Sequence, residues 1–229
     1  AAMPAWLVIG LLALLLGLQP VTTDLYLPAL PTLKAQLLAS MAQSQLTLTA
    51  LLLAFGCSQL VWGPLSDRWG RRPILLAGLV AYVLAALGCA LAQSMEALIF
   101  WRTVQGAAMG AGVMGARAVV RDLYAPVQGA HAMSRALTGL GIIACLSPPL
   151  GGLLAGHLGW RATMAALACF GGMALLLVLL RFEETLARPN PQAMRPAHLA
   201  RTWGQILSHP TFLAYSATTT FTYAGLFTY

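Results

Sequence analysis

Charge is scarce in this 229-residue sequence, and its few charged groups stand where they can do chemistry. The acids are six: Asp24, Asp67, Glu96, Asp122, Glu183 and Glu184. Asp67 shares the stretch VWGPLSDRWGRRP, residues 61–73, with Arg68, Arg71 and Arg72, framed by Gly63, Pro64, Gly70 and Pro73. A carboxylate at that spacing can pair with Arg71 or accept the first amides of a following helix. An acid does nothing to fix membrane orientation, so Asp67 points to a latch, whereas Arg68 and Arg72 can act as anchors alone. Asp24 and Arg102 differ, because each stands by itself in an apolar run. Where such runs cross a membrane, ionisable groups are costly and mark ion or proton pathways.

The composition says that they do cross one. Hydrophobic residues are 59% of the chain and charged residues 8%, against roughly 25% charged in soluble domains. Mean hydropathy is +0.77. Apolar windows near the 20 residues that a spanning helix needs fall at 4–32, 45–65, 73–92, 97–119, 133–155, 160–180 and 211–229. The first carries Pro20, Pro28 and Pro31, which predicts a kink or unwinding toward its far end. The net charge of +7 does not indicate nucleic acid, because the basic residues sit in short gaps between apolar runs rather than on one polar face. Cys57, Cys89, Cys145 and Cys169 lie inside apolar segments without metal-like or paired spacing and read as core residues. No cofactor or metal is expected. GAAMGAG, 106–112, follows no strand and is not a phosphate loop. The scattered His131, His157, His198 and His209 argue against an enzyme.

Orientation follows from Arg and Lys in alternate gaps. Arg68, Arg71, Arg72, Arg117, Arg121, Arg135, Arg181, Arg188, Arg195 and Arg201 fall on one side, and Lys34 and Arg161 on the other. The amino terminus is therefore expected in the cytoplasm. The expected organisation is a six-helix bundle over 1–181, a Pro-rich basic cytoplasmic linker over 182–210 with a short surface helix near 198–208, and a seventh span beginning at 211. The last apolar run has no polar cap, which suggests that a second bundle is missing.

The stretch GPLSDRWGRRP closely resembles the loop signature G-x-L-x-D-R-x-G-R-[RK] of the major facilitator superfamily of secondary transporters. RTVQGAAMGAG, 102–112, resembles that family's fourth-helix R-x-x-Q-G signature. SPPLGG, 147–152, resembles its fifth-helix G-P-x-x-G-G signature, with Ser147 where the general pattern has Gly. TTDLYLPALP, 22–31, together with RDLY, 121–124, and EETL, 183–186, narrows the resemblance to the bicyclomycin/chloramphenicol-resistance (Bcr/CflA) branch of drug:proton antiporters.

The resemblance implies an all-α membrane fold, of which this chain holds the amino-terminal six-helix bundle and the start of helix seven. It implies a monomeric bacterial inner-membrane exporter, whose partners are lipophilic drugs, protons and the lipid bilayer. It also implies that Asp67 and Arg71 pair with an acid at the inner end of the fourth helix, a place that Asp122 fits beside Arg121. Inverted three-helix repeats make helices one and four equivalent partners along the central path. Asp24 is then expected to meet Arg102, directly or through Gln105 or water, with Arg102 roughly 9 Å below the outer boundary at 1.5 Å per residue. The plainer alternative has Asp24 ending a helix at Thr23, with Leu25–Pro31 as outer loop. Ser147, Pro148, Pro149, Gly151 and Gly152, with Gly139, Gly141 and Gly156, are expected to bend and seal the fifth span. Gln19, Thr22, Tyr26, Gln59, Trp62, Thr218, Thr219, Thr220 and Tyr223 are candidate cavity residues that could equally bond between helices. Two other readings stay open: an exporter of an endogenous metabolite or sugar on the same fold, and a fragment inactive by itself.

Overall fold

A computed structural model describes residues 3–227, apart from the side chains of Ala197, His198, Tyr223, Ala224, Leu226 and Phe227. All regular structure among the described residues is helical. The chain has two compact units that divide between Pro189 and Asn190, so the first residues of the expected linker belong with the bundle. The first unit holds α1 (Ala5–Asp24), a 3-10 turn at Leu27–Ala29, α2 (Leu30–Gln36), α3 (Met41–Trp69), α4 (Arg71–Leu91), α5 (Met95–Leu123), α6 (Pro126–Leu158) and α7 (Trp160–Arg181). The second holds α8 (Pro196–Leu207) and α9 (Pro210–Phe227).

The first span breaks where its prolines demand it. Pro28 has no amide to offer the Asp24 carbonyl four residues earlier, so α1 stops at Asp24 and the backbone resumes as a 3-10 turn and α2. Pro20 is carried inside α1 without interruption. The segment after the break is not an outer loop, since Leu25, Tyr26, Ala29 and Leu33 are buried. Pro148 and Pro149 likewise leave α6 a single helix from Pro126 to Leu158.

Among the described residues, five stretches are long and apolar enough to cross a membrane: Ala5–Gln36, Met41–Trp69, Arg71–Leu91, Pro126–Leu158 and Trp160–Arg181. The expected fourth span, now α5, is not among them although it is 29 residues long. Arg102, Gln105 and many Gly and Ala residues lower its hydropathy, and its place in the bundle explains why that is tolerated. More than half of α5 is buried, whereas α3 and α6 bury few of their residues. Among the long helices of the first unit, the least apolar is the one most shielded by its neighbours. The α9 helix, the start of the expected seventh span, is not among the five stretches either, although it contains no charged residue.

Packing follows two triplets of spans, α1–α2 with α3 and α4, then α5 with α6 and α7. The second span of each triplet lies against the first of the other, α3 on α5 and α6 on α1, while α4 packs on α7. Each cross-contact uses a glycine where backbones nearly touch. A Cβ on Gly106 of α5 would collide with the Leu51 carbonyl of α3, and one on Gly151 of α6 with the Leu25 carbonyl at the α1 break. The expected seal along α6 is narrower than its glycine content. A Cβ on Gly139 would come within 3.1 Å of Ala13, one on Gly152 would only reach Pro28 at 4.0 Å, and Gly141 and Gly156 face open space. Ser147 fits without loss, because it is buried and its hydroxyl returns to the Ile143 carbonyl at 2.7 Å.

Gly106→Leu and Gly151→Leu should each destabilise the bundle by about 1–3 kcal/mol through overpacking, while Gly156→Leu should leave it unchanged. Thermal unfolding of the purified protein in detergent separates these outcomes, and equal midpoints for all three would overturn the packing account.

Candidate functional site

Two polar clusters lie in the first unit. The deeper one centres on Arg102, which is fully buried with Gln105, Thr22, Tyr26 and Thr47, and beside Tyr82 and Cys89. Arg102 Nη1 donates to Gln105 Oε1 at 3.0 Å, and its two terminal nitrogens reach the Thr22 carbonyl at 3.4 and 3.3 Å. The guanidinium carbon stands 4.2 Å from the centre of the Tyr26 ring. The break after Asp24 makes this possible, because the last carbonyls of α1 lose their helical partners and form the negative end of a helix dipole. A cation is favourable there. Arg102 Nε and Gln105 Nε2 have no hydrogen-bond partner among the described residues.

The hydroxyls around Arg102 are ordered. Thr47 donates to the Ser44 carbonyl, so the 2.8 Å contact between Tyr26 and Thr47 has the phenol as donor. Thr22 donates to the Leu18 carbonyl, so Tyr82 donates to Thr22 at 2.6 Å. These contacts join α1, α3, α4 and α5 at one level of the bundle.

Asp24 is half-buried at the end of α1 and accepts from the Thr23 hydroxyl at 2.9 Å. Among the described residues no ion pair joins it to Arg102. Arg102 and Gln105 are thus together as expected, with Asp24 two residues beyond the Thr22 carbonyl that binds Arg102 but not itself a partner in this conformation.

The second cluster lies where α3 meets α4. Arg71 is 2% exposed and donates to Asp67 at 2.7 Å, to Asp122 at 2.8 Å and to Ser66 at 3.0 Å. Arg121, on the surface, comes within 3.6 Å of Asp67. Asp67 sits in the last turn of α3 and is therefore not the acceptor of α4's first amides. That place belongs to Glu184, which accepts from the amides of Arg71 at 2.8 Å and Arg72 at 3.1 Å. Gly70, the residue before α4, has no side chain to cap it and adopts φ of 100°, and a Cβ there would strike the Glu184 carboxylate. A carboxylate at a helix N-terminus is favoured by the dipole. Glu184, recruited from beyond α7, replaces the missing cap. Arg72 also donates to the Leu179 carbonyl at 3.1 Å, and exposed Arg68 stacks only on neighbouring Trp69 at 5.8 Å. Gly63 lies beside Met114.

The cavity candidates divide. Thr22 and Tyr26 belong to the Arg102 cluster. Gln19 and Gln59 are half-buried, and Trp62 bonds the Ala107 carbonyl of α5 at 2.7 Å. Thr218 and Thr219 turn back on their own helix, and the Tyr223 side chain lies outside the described residues. An apolar groove of about 470 Å³ between α1, α6 and α7 is lined by Val21, Leu25, Ile143, Leu150, Phe170 and Met173, with Ser147 the one expected residue on its wall. Glu184, Thr47 and Tyr82 were not anticipated from sequence. A glycine N-cap signals that a distant acid is needed, but not which of two adjacent glutamates supplies it.

These features define a multi-pass α-helical membrane protein built from two crossed three-span triplets, with a buried cation at their centre and an ion-pair cluster at one end. The family model for the Major Facilitator Superfamily matches residues 10–229, and the chain belongs to that superfamily of transporters, in its Bcr/CflA type. It is 38% identical over 185 residues to the chloramphenicol resistance protein of Pseudomonas aeruginosa, covering 80% of this chain and 42% of that protein. It is 34% identical over 192 residues to multidrug resistance protein D of Escherichia coli, covering 84% and 46%. The crystal structure of the human organic anion transporter MFSD10 (TETRAN) shares the fold, with a TM-score of 0.66, 22% identity, and coverage of 87% of this chain and 53% of that one. The chain spans about half the length of the curated relatives it matches.

Arg71→Ala strands Asp122 beside a buried vacancy and should cost about 3 kcal/mol, whereas Arg68→Ala should leave stability unchanged. Glu184→Gln should cost about 1 kcal/mol through the cap. Chemical denaturation in mixed micelles gives the ranking, and a loss from Arg68→Ala equal to that from Arg71→Ala would contradict it.

Proposed function

We propose that this chain forms the first half of a bacterial inner-membrane multidrug exporter that moves lipophilic compounds outward in exchange for protons by alternating access. The observation that carries this reading is the fully buried Arg102, whose partners are a carbonyl, an amide and a ring, with Asp24 two residues beyond that carbonyl. A buried cation without a carboxylate partner is costly, and an ionisable pair inside a bundle is a default proton path. Protonated Asp24 leaves Arg102 on the α1 carbonyl, and deprotonated Asp24 draws it away. Gln105 steadies the guanidinium in both states.

The arginine-rich gaps support a cytoplasmic position for the amino terminus and for the Asp67–Arg71–Asp122 cluster. There the cluster ties α3, α4 and α5 to the chain leaving α7, so that the inner ends of these helices move as one body when the transporter rocks. The names of the relatives, which speak of chloramphenicol, bicyclomycin and multidrug resistance, support drugs as the substrate class. The apolar groove and the few uncharged polar groups near the centre suit lipophilic compounds. The transporter acts as a monomer.

Ethidium efflux from energised vesicles of cells expressing the encoding gene should stop when a protonophore collapses the gradient. Asp24→Asn should abolish proton-coupled efflux while substrate binding persists. Efflux that survives the protonophore, or coupling intact in Asp24→Asn, would sink the antiport reading.

A further inference from the structure

The contacts of Arg102 assign a role to a residue that holds neither proton nor drug. Its Nη nitrogens are taken up by Gln105 and the Thr22 carbonyl, its Nε has no acceptor among the described residues, and its flat face lies 4.2 Å from the Tyr26 ring centre. The negative face of an aromatic ring attracts a guanidinium most strongly where water is absent. Tyr26 is fully buried and cannot drift, because its hydroxyl is fixed to Thr47 on α3. Asp24 lies in the same turn of chain, two residues before Tyr26. Ring and carboxylate therefore belong to one segment, and in this structure the ring, not the carboxylate, lies against the guanidinium.

We propose that Tyr26 is a positioning residue of the proton switch: its ring occupies Arg102 while Asp24 is protonated, and Arg102 leaves the ring for the carboxylate once the proton has gone. In that step the carboxyl O–H bond breaks, its proton passes to water in the open half of the pathway, and the charge left on Asp24 is met by Arg102. This rests on the antiport reading above and adds to it that the ring sets how hard Asp24 must compete. Because Thr47 pins the ring from α3, a shift of α3 relative to α1 alters that competition and so ties proton loading to helix movement. The other titratable groups facing Arg102 are Tyr82 and Cys89, both on α4 and both uncharged hydrogen-bonding neighbours in this arrangement. No Asp or Glu is among the buried described residues.

The test weakens the ring without changing its shape. Tyr26→Phe and the mono-, di- and trifluoro-phenylalanines at position 26 are prepared in the purified protein in lipid nanodiscs. The carboxylic-acid infrared band of Asp24, assigned by its loss in Asp24→Asn, is read at the pH where half of that group is protonated in Tyr26→Phe. Each fluorine weakens the hold on Arg102, so pairing with the carboxylate should grow and the acid-to-carboxylate ratio should fall stepwise, by roughly tenfold across the series. The trend should vanish when Arg102→Gln is added. A ratio insensitive to fluorination, or a trend that persists without Arg102, would overturn the proposal. The band is read without transport, so a flat series beside intact proton-coupled efflux defeats the role of Tyr26 alone. Gradient-independent efflux beside a stepwise series defeats the antiport reading instead.

Discussion

A guanidinium without water has to be compensated by something, and the centre of this bundle is organised by how Arg102 meets that need. Its compensation comes from the broken end of α1. Where a helix is interrupted, main-chain carbonyls lose their helical partners and are free to accept from a side chain on a neighbouring helix. Pro28 makes that interruption, and Gly151 lets α6 close over the break against the Leu25 carbonyl. Arg102 in turn forces α5 to be polar at the same level, which a helix facing lipid could not be. So α5 is enclosed by α1, α3 and α4, and α3 and α6 each present more exposed large apolar side chains than any other helix of the first unit.

The enclosure is achieved by backbone proximity rather than by large side chains. In lipid no hydrophobic driving force remains between helices, so close van der Waals contact and hydrogen bonds must hold them. Gly106, on the first span of its triplet, and Gly151, on the second, each meet a carbonyl of the opposite triplet. Trp62 adds a bond from α3 to the Ala107 carbonyl, next to Gly106. The triplets are thereby clamped twice in the same way, and a body clamped in that manner moves as a unit.

Much of this was legible in the sequence, and the parts that were not share a cause. Hydropathy located the helices because their solvent is lipid, and the prolines at 28 and 31 announced the break. Asp67, Arg71 and Asp122 fell together as the loop signature implied. What failed to show was which end of which pair a group served. Asp67 was the candidate for the first amides of the following helix, and only the three-dimensional path of the chain past α7 brings Glu184 to the amides of α4 in its place. The glycine count on α6 exceeded its close contacts, because a glycine facing open space is indistinguishable in sequence from one facing a carbonyl. Tyr26 read as an aromatic near a cavity, since nothing local in the sequence reveals that its ring lies under a cation 76 residues away.

The two charged centres differ in a way that fits different duties. Every nitrogen of Arg71 has an acceptor, from Asp67, Asp122 or Ser66, and two amides above it are capped by Glu184. A satisfied network of this kind stiffens what it joins. Arg102 is the opposite case: two donors of its cluster, its own Nε and Gln105 Nε2, have no hydrogen-bond partner among the described residues, and the ring beneath it is a weaker partner than a carboxylate. Leaving donors open costs stability at that point, and the same openness lets a small change of charge rearrange them. The rigid cluster holds helices in register at one end, so a rearrangement at Arg102 can be transmitted as movement instead of being absorbed by local loosening.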